Sequence, residues 1–232
     1  MSLKIFCDIA DYRIIKKFNK LKIVKGFTTN PSLMRASGAK NYKQYSLKIL
    51  KICKTKPISF EVFADDINGM IQQAHQIKSW GKNVYVKIPV VNSKGKFTGR
   101  AIKELSSNNV KLNITAVYTY DQVKKIVKVL NKRSKSIISI FAGRMADVGK
   151  DPVPIFKRSI NLTKKYKNIE ILWASTREVY NFLQAKDLGC QIITTPPKII
   201  EKINNFGTSY HNLTLDTVKG FLKDSRKSKF RI

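Results

Sequence analysis

Residues 58–90, ISFEVFADDINGMIQQAHQIKSWGKNVYVKIPV, contain the pattern that decides the fold. They begin with a β-branched and aromatic run at 58–63 and end with a second such run at 83–88, just before Pro89. Between the two runs, residues 67–80 place apolar side chains at helical spacing. Two strands separated by a helix are typical of a β–α–β unit, in which the strands lie parallel.

The same unit is repeated along the chain of 232 residues. Apolar runs predict further strands at 4–9, 23–27, 111–115, 137–141, 169–173 and 191–194. Amphipathic patterns predict further helices near 11–20, 41–54, 98–107, 120–131, 152–166, 177–188 and 197–204, and a final helix at 213–228. Eight strand–helix units without a break in composition predict an α/β fold, a single (β/α)8 TIM barrel domain over residues 1–232 with an extra C-terminal helix. A doubly wound sheet is the alternative.

Charge is the most distinctive feature of the composition, with 45 basic and 15 acidic residues and a net charge of +30. A positive field attracts phosphorylated metabolites and weakens as salt is added. It also raises the hypothesis of a basic barrel that binds nucleic acid. The lysines are spread between apolar residues at helical spacing, however, which favours solvated helix surfaces over a dedicated nucleic-acid site.

Other compositional features narrow the class of protein. No run approaches the roughly 18 apolar residues of a membrane span, and the N-terminal segment contains acidic residues that a signal peptide lacks. The three cysteines are far apart, which favours reduced thiols in the cytoplasm. The two histidines have no neighbouring ligand residues, so we predict a cytoplasmic protein without a metal site or cofactor.

One lysine, Lys87, interrupts the apolar strand VYVKIPV at 84–90. A charged ammonium in a buried strand is costly unless it is paired, exposed or neutralised, so Lys87 lies at a sheet edge, faces solvent at a strand end, or takes part in chemistry. A lysine amine attacks a ketone to form a Schiff base, whose protonated imine accepts electrons during C–C cleavage. Only the neutral amine reacts, and at the reference pKa of roughly 10.4 less than about 0.1% is neutral at pH 7. Burial is the expected means of activation.

Polar side chains also follow other predicted strands, at the end of the barrel where (β/α)8 enzymes carry their active sites. They are Asp8, Thr28, Asn30, Glu61, Asn113, Thr115, Arg144, Ser175 and Arg177, with Phe141 beside them. Each alone has a structural explanation: Asp8 as a helix cap, Asn30 in a turn before a helix, or the arginines as surface cations. One active site around the lysine explains all of them together.

The chemical content of this set indicates an aldol-type reaction. Two carboxylates, Asp8 and Glu61, supply the acid–base groups that carbinolamine dehydration and proton transfer from a hydroxyl require. Two arginines, Arg144 and Arg177, suit a phosphate, which their planar forks bind through paired hydrogen bonds. Together with the Lys87 amine, the set predicts a class I aldol-type reaction on a phosphorylated sugar.

Seven segments occur in an order and spacing that resembles the transaldolase family. They are CDIAD, KGFTTNPSL, FEVFA, VKIPV, NITAVY, SIFAGR and the AS-R pattern of residues 174–177. The resemblance covers residues 4–228, and the combination of TTNPS with VKIP is its most specific part. The chain length is similar to that of the short-subunit branch, which also contains fructose-6-phosphate aldolase.

The resemblance implies a role for each candidate residue. The catalytic group would consist of Lys87 as the Schiff-base lysine, Asp8 as the acid–base of the aldol step, and Glu61 acting with Thr115 through a catalytic water. The substrate-binding group would consist of Asn30 and Asn113 at the donor hydroxyls, Thr28 and Phe141, and the phosphate-binding Arg144, Ser175 and Arg177. No cofactor is implied.

Two positions separate the branches of this family. The aldolase branch carries glutamine at the Glu61 position and tyrosine at the Phe141 position, whereas Glu61, Phe141 and Asn113 form the transaldolase combination. The resemblance therefore implies a transaldolase of the pentose phosphate pathway, which transfers a dihydroxyacetone unit from fructose 6-phosphate or sedoheptulose 7-phosphate to an aldose phosphate. Free aldol cleavage of fructose 6-phosphate is the alternative.

Three positions differ from the usual family pattern. Ala146 stands where many members have an acidic residue, Trp173 where a small residue is usual, and TTPPK at 194–198 replaces the usual T-P-L. An inward-facing Trp173 would narrow the site and favour a related ketose phosphate. The final helix at 213–228 resembles one that packs on a neighbouring subunit, which implies a homo-oligomer, either a pentamer or a decamer.

Overall fold

Eight parallel strands close into a barrel in chain order, and the last strand pairs with the first. This computed structural model describes residues 2–228, so both ends of the predicted domain range 1–232 lie outside it. The strands are β1 (Lys4–Asp8), β2 (Val24–Thr28), β3 (Ile58–Glu61), β4 (Val84–Pro89), β5 (Leu112–Val117), β6 (Ser136–Ile140), β7 (Ile169–Trp173) and β8 (Ile192–Thr195). The predicted (β/α)8 architecture is confirmed, and an open doubly wound sheet is wrong.

Helices connect the strands and surround the barrel. The described residues form α1 (Tyr12–Asn19), α2 (Pro31–Ala36), α3 (Tyr42–Ile52), α4 (Ile67–Lys78), α5 (Gly99–Ser107), α6 (Tyr120–Val129), α7 (Ala142–Ala146), α8 (Val153–Thr163), α9 (Tyr180–Asp187), α10 (Pro197–Ile203) and α11 (Tyr210–Ser228). The sequence pattern does not predict α2 and α7, because helical periodicity needs a longer span to be recognised. Both follow strands directly, so they contribute to the carboxyl end of the barrel.

The strands are buried on both faces, which explains their content of isoleucine and valine. Successive side chains of a strand point to opposite faces, inward and outward in turn. Phe6, Tyr85, Ile137, Leu172 and Ile192 belong to an apolar cluster inside the barrel. A larger cluster fills the layer between the strands and the helices. The inner cluster therefore occupies the barrel interior below the carboxyl ends of the strands.

Trp173 lies in the outer layer. Its sequence neighbour Leu172 belongs to the inner cluster, whereas Trp173 packs with the residues between strands and helices. The indole stacks on the Phe156 ring of α8, with 4.5 Å between the ring centroids. Trp173 is thus accommodated by an aromatic partner on a helix, and it does not narrow the barrel interior.

The final helix, α11, begins at Tyr210 rather than at residue 213. The Ser209 hydroxyl accepts a hydrogen bond from the Asn212 N–H at 3.2 Å, as a helix N-cap does. Thr214, near the predicted start of this helix, donates to the Tyr210 carbonyl oxygen one turn earlier. No described residue of α11 is buried, and Phe221 is 70% exposed. Packing of this helix on a neighbouring subunit stays a prediction.

No helix within residues 2–228 is both long enough and apolar enough to cross a membrane.

Candidate active site

The predicted catalytic side chains share the inward face of the barrel at its carboxyl end. Asp8 follows Phe6 by two residues and Lys87 follows Tyr85 by two, so each points to the same side as a member of the inner cluster. In the sheet register Asp8 is opposite Thr28, and Lys87 is opposite both Glu61 and Asn113. The strands therefore bring these residues together although the chain separates them.

Lys87 is enclosed in the centre of the sheet. Its strand, β4, pairs with β3 and β5, so the edge-strand explanation is wrong. The residue is 8% exposed. Its Nζ lies 3.2 Å from Glu61 Oε2 and donates a hydrogen bond of 2.9 Å to the Thr29 carbonyl oxygen. The cost of burying the ammonium is thus offset by one carboxylate and one carbonyl.

Asp8 is held by a hydroxyl from the neighbouring strand. Thr28 donates a hydrogen bond of 2.6 Å to Asp8 Oδ1, and its hydroxyl also lies 2.5 Å from that of Thr194 on β8. Burial raises the pKa of Asp8 above its usual value, while the Thr28 hydrogen bond and the Lys87 charge oppose this rise. Asp8 does not cap a helix, because Asp11 accepts the N–H bonds at the start of α1.

The end of β3 is fixed by Tyr42 of α3. The Glu61 N–H donates to the Tyr42 hydroxyl at 2.8 Å, and this hydroxyl donates to the Glu61 carbonyl oxygen at 3.2 Å. Trp80 packs edge-on against the Tyr42 ring, with 5.8 Å between centroids. Burial raises the pKa of Tyr42, so its hydroxyl keeps its proton. A rigid aromatic contact therefore positions the Glu61 backbone beside Lys87.

Asn113 lies below the lysine and is fully buried. Its Nδ2 donates to the Ser59 hydroxyl at 3.0 Å, and its Oδ1 accepts a hydrogen bond of 2.6 Å from the Ser139 hydroxyl. Thr115, two residues later on the same face, is 3% exposed and is register partner to Pro89. A serine of β3 and a serine of the adjacent strand β6 thus fix the amide of Asn113, while Thr115 lies one layer nearer the carboxyl end.

Asn30 caps α2. Its side-chain oxygen accepts the Leu33 N–H at 2.9 Å, and Pro31 occupies the first helical position. The side-chain oxygen of Asn30 therefore has the structural role predicted for a residue that precedes a helix.

The two arginines lie on the β6 and β7 side of the same opening. Arg144 is on α7, and its guanidinium carbon is 5.7 Å from the centroid of the Phe141 ring. Arg177 is about half exposed and pairs with Asp147, with Nε 3.0 Å from Oδ1 and Nη2 2.5 Å from Oδ2. These hydrogen bonds lower the pKa of Asp147. An acidic partner for Arg177 is thus present directly after Ala146.

A close backbone contact joins the two arginine segments. A Cβ on Gly143 would stand 1.6 Å from the Ser175 carbonyl oxygen, a distance that no side chain tolerates. Ser175 itself has a φ of +63°, in the left-handed region that non-glycine residues rarely adopt. The loop after β7 therefore approaches α7 in a constrained conformation, with Arg144, Ser175 and Arg177 around the contact.

Comparison with known proteins identifies the family that this chain resembles. A family model described as Transaldolase/Fructose-6-phosphate aldolase matches residues 5–232. A "Probable transaldolase" of Nitrosopumilus maritimus (strain SCM1) is 34% identical over 229 residues, covering 98% of this chain and 96% of its own length. A "Probable transaldolase" of Thermoanaerobacter sp. (strain X514) is 31% identical over 231 residues, covering 99% of this chain and 100% of its own length.

The chain belongs to the transaldolase/fructose-6-phosphate aldolase family. It is an enzyme of the transaldolase/aldolase class. The family resemblance of the sequence motifs is thereby confirmed.

Solved structures of low identity share only the barrel. A Burkholderia cenocepacia J2315 protein assigned as a phosphonomutase is 7% identical, with a TM-score of 0.57, and the match covers 96% of this chain and 93% of that one. A second protein from the same organism, assigned as a lyase/mutase, is 8% identical, with a TM-score of 0.60 and coverage of 88% and 80%. At these identities the likeness concerns the fold alone.

Several residues that position the candidate site were not predicted from the sequence. Ser59 and Ser139 were detectable in principle, because hydroxyls inside otherwise apolar strands need partners. Thr194 stands at the end of β8 and was accessible by the same strand-end argument as Asp8. Thr29 acts through its backbone carbonyl, and Tyr42 lies on a helix distant in sequence, so neither leaves a signal in the sequence.

Proposed function

We propose that this protein is a transaldolase that transfers a dihydroxyacetone unit from a ketose phosphate to an aldose phosphate through a Schiff base on Lys87. The observation that carries the proposal is the enclosed Lys87 amine, 3.2 Å from Glu61 and on the same inward face as Asp8. Fructose 6-phosphate and sedoheptulose 7-phosphate are the proposed donors. The cytoplasmic pentose phosphate pathway and a homo-oligomeric state are part of the same proposal.

The first half-reaction begins at Lys87. Its neutral amine adds to the donor C2 carbonyl, and the carbinolamine that results loses water to form the imine. The water leaves only if a proton reaches the hydroxyl, and Glu61 is the carboxyl group within contact of the Lys87 nitrogen. In the proposal Thr115 acts with Glu61 through a bound water; the two residues lie on β5 and β3, the strands on either side of the Lys87 strand.

Carbon–carbon cleavage follows at Asp8. The Asp8 carboxylate accepts the proton of the donor C4 hydroxyl, the C3–C4 bond breaks, and its electron pair moves to the imine to give an enamine on Lys87. The first aldose phosphate departs. An acceptor aldehyde then takes up the enamine carbon while Asp8 returns the proton, and hydrolysis of the new imine releases the product. Because burial raises the pKa of Asp8, this carboxyl is suited to both accepting and returning a proton.

Binding of the donor phosphate is assigned to the Arg144, Ser175 and Arg177 group. Guanidinium forks bind phosphate through paired hydrogen bonds, and the exposed position of both arginines lets a soluble sugar phosphate reach them. We propose that Asn30 and Asn113 contact donor hydroxyls through the side-chain donor and acceptor positions that their hydrogen bonds within the protein do not occupy.

We propose that Phe141 favours transfer of the dihydroxyacetone unit to an acceptor over its release as free dihydroxyacetone. Phe141 lies at the end of β6, 5.7 Å from the Tyr118 ring between centroids, and it carries no hydroxyl that would assist water in protonating the enamine. A long-lived enamine favours capture by an acceptor. Free aldol cleavage of fructose 6-phosphate is the second candidate, because the matching family contains both activities.

Reductive trapping tests the mechanism. Borohydride added with fructose 6-phosphate should attach the donor carbons irreversibly to Lys87, as located by peptide mass spectrometry, and K87M should give no adduct. Full activity of K87M would overturn the proposal. Steady turnover should need erythrose 4-phosphate as acceptor, and release of glyceraldehyde 3-phosphate at the same rate without an acceptor would instead identify a free aldolase.

A further inference from the structure

The barrel has a second opening at its amino end, opposite the candidate active site. An open pocket of about 320 Å³ lies there, among the starts of β1, β2, β4, β6 and β7. Phe6, Tyr85 and Ile137 form its floor. The same three residues belong to the inner apolar cluster, which separates this pocket from Lys87 and Asp8. The pocket is thus a distinct space that plays no part in the aldol chemistry.

The charge around this pocket is strongly positive. Lys4, Lys25, Lys135 and Lys167 line it together with one acid, Glu170. Lys4 is in direct contact with Glu170. Within residues 2–228, the other three lysines have no carboxylate at ion-pair distance. Four lysines and one glutamate leave an excess of three positive charges at the mouth.

Neighbouring lysines add to this field. Burial lowers the pKa of Lys111, just before β5, and the Lys135 charge lowers it further. Burial likewise lowers the pKa of Lys56, just before β3; Cys53 opposes this effect and Lys25 adds to it. Cations that repel one another in this way are stabilised by an anion placed between them.

A tyrosine also contributes to the lining of the pocket. Tyr85 is 7% exposed, and its hydroxyl forms no hydrogen bond with any other part of the chain that the structure describes. Burial, with a further contribution from Glu170, raises its pKa to about 12, so the hydroxyl stays protonated and able to donate. A hydroxyl that lines an open pocket in this way can donate to a ligand oxygen bound there.

We propose that the amino-end pocket binds a small polyanion of the oligophosphate class. Several lysines with an unpartnered donor suit a ligand that presents several charged oxygens. A single phosphate would neutralise only part of the excess charge, and a nucleic-acid duplex is too wide to enter a pocket of this size. The ligand is held by Lys25, Lys135, Lys167 and the Tyr85 hydroxyl.

Calorimetric titration with inorganic tripolyphosphate at physiological salt tests this site. All binding measurements use the full-length R144A/R177A double variant as the reference protein. This variant lacks the two arginines at the other end of the barrel that would compete for the phosphate ligand. In this background, K25A/K135A/K167A should weaken binding about tenfold or more, and Y85F about threefold. The control K103A/K125A/K157A removes three exposed lysines from α5, α6 and α8 and should retain the affinity.

The outcomes are decisive in either direction. Equal weakening of tripolyphosphate binding by both triple variants would show that the ligand responds only to a diffuse surface charge, and it would overturn the proposal. Absence of binding by the R144A/R177A protein itself would also overturn it. If the pocket triple variant fails to fold, as judged by circular dichroism, K167A and Y85F alone decide, each with an expected loss of about threefold. In the otherwise wild-type chain, the pocket triple variant should keep its turnover of sugar phosphates, because the apolar cluster separates the two ends.

Discussion

The Glu61 carboxylate lies 3.2 Å from the Lys87 amine nitrogen, and the two residues are direct register partners on β3 and β4. Their contact is set by strand pairing, so it does not depend on a flexible loop. Tyr42 adds a second constraint by hydrogen bonding to the Glu61 backbone. The pair is therefore held in place before a substrate arrives, which is the condition for proton transfer at a reacting centre.

Replacing Glu61 with glutamine tests this relationship. E61Q keeps the size and a hydrogen-bonding oxygen but removes the proton-accepting group, and Phe141 has no hydroxyl that could compensate, so we expect kcat to fall about 100-fold. Rapid-quench measurement of imine formation should show the loss in that step. E104Q, which changes an exposed glutamate of α5, is the matched control and should be unaffected. A normal rate of imine formation in E61Q would contradict the assigned role.

Asp8 provides a prediction about pH and stability. Burial raises its pKa in the folded state, so the folded chain binds this proton more tightly than the unfolded chain. The stabilisation from this group is fully present below the unfolded pKa of about 3.9 and is lost as pH rises through the higher folded value. D8N should therefore melt at a higher temperature than the parent at pH 8 while losing activity.

The advantage of D8N in thermal melting should shrink as the pH is lowered toward 4. D224N, on the exposed helix α11, removes one carboxylate elsewhere and serves as control. A melting difference that is constant across pH 4 to 8 would show that protonation of Asp8 is not its cause.

Gly143 provides a test of the phosphate-binding role proposed for Arg144, Ser175 and Arg177. G143A places a Cβ at the Ser175 carbonyl oxygen, so α7 and the loop after β7 must separate. We expect KM for fructose 6-phosphate to rise about tenfold, because Arg144 and Arg177 can then no longer hydrogen-bond to the same phosphate. G220A on α11, where a Cβ meets open space, is the matched control. An unchanged KM in G143A would remove this contact from substrate binding.

Arg177 can be examined by a change that preserves its charge. A lysine cannot reproduce the paired hydrogen bonds that Arg177 makes to Asp147 or would make to a phosphate. R177K should raise KM for phosphorylated donors about tenfold. Addition of unphosphorylated dihydroxyacetone to an unphosphorylated aldehyde should be nearly unchanged, because neither reactant carries a phosphate, and an equal loss in both reactions would indicate a structural role only.

Phe141 is expected to control the fate of the enamine. F141Y adds a hydroxyl at the end of β6, beside Tyr118 and Arg144. A new proton donor there should speed protonation of the enamine and increase release of dihydroxyacetone in the absence of an acceptor. Product analysis by coupled assay measures the ratio of release to transfer. An unchanged ratio would count against this role for Phe141.

The charged residues of the strands could be predicted from the sequence, whereas the contacts that residues of loops and short helices make with one another could not. Lys87 and Glu61 stand out because a charge in an apolar strand violates the pattern of its neighbours. The pairing of Arg177 with Asp147 is not predictable in this way, because it joins exposed residues of two separate loops. The outward position of Trp173 depends on the stacking partner Phe156, which its own sequence context does not reveal.

The Thr28 hydroxyl contacts Asp8 of the first strand and Thr194 of the last, residues that lie at opposite ends of the folding chain. The environment of the acid is therefore incomplete until the barrel has closed, after nearly the whole polypeptide has been synthesised. A nascent or partly folded chain presents Asp8 without this arrangement. Under the proposed mechanism, chemical competence therefore arises only when the barrel closes, and it distinguishes the closed barrel from open intermediates.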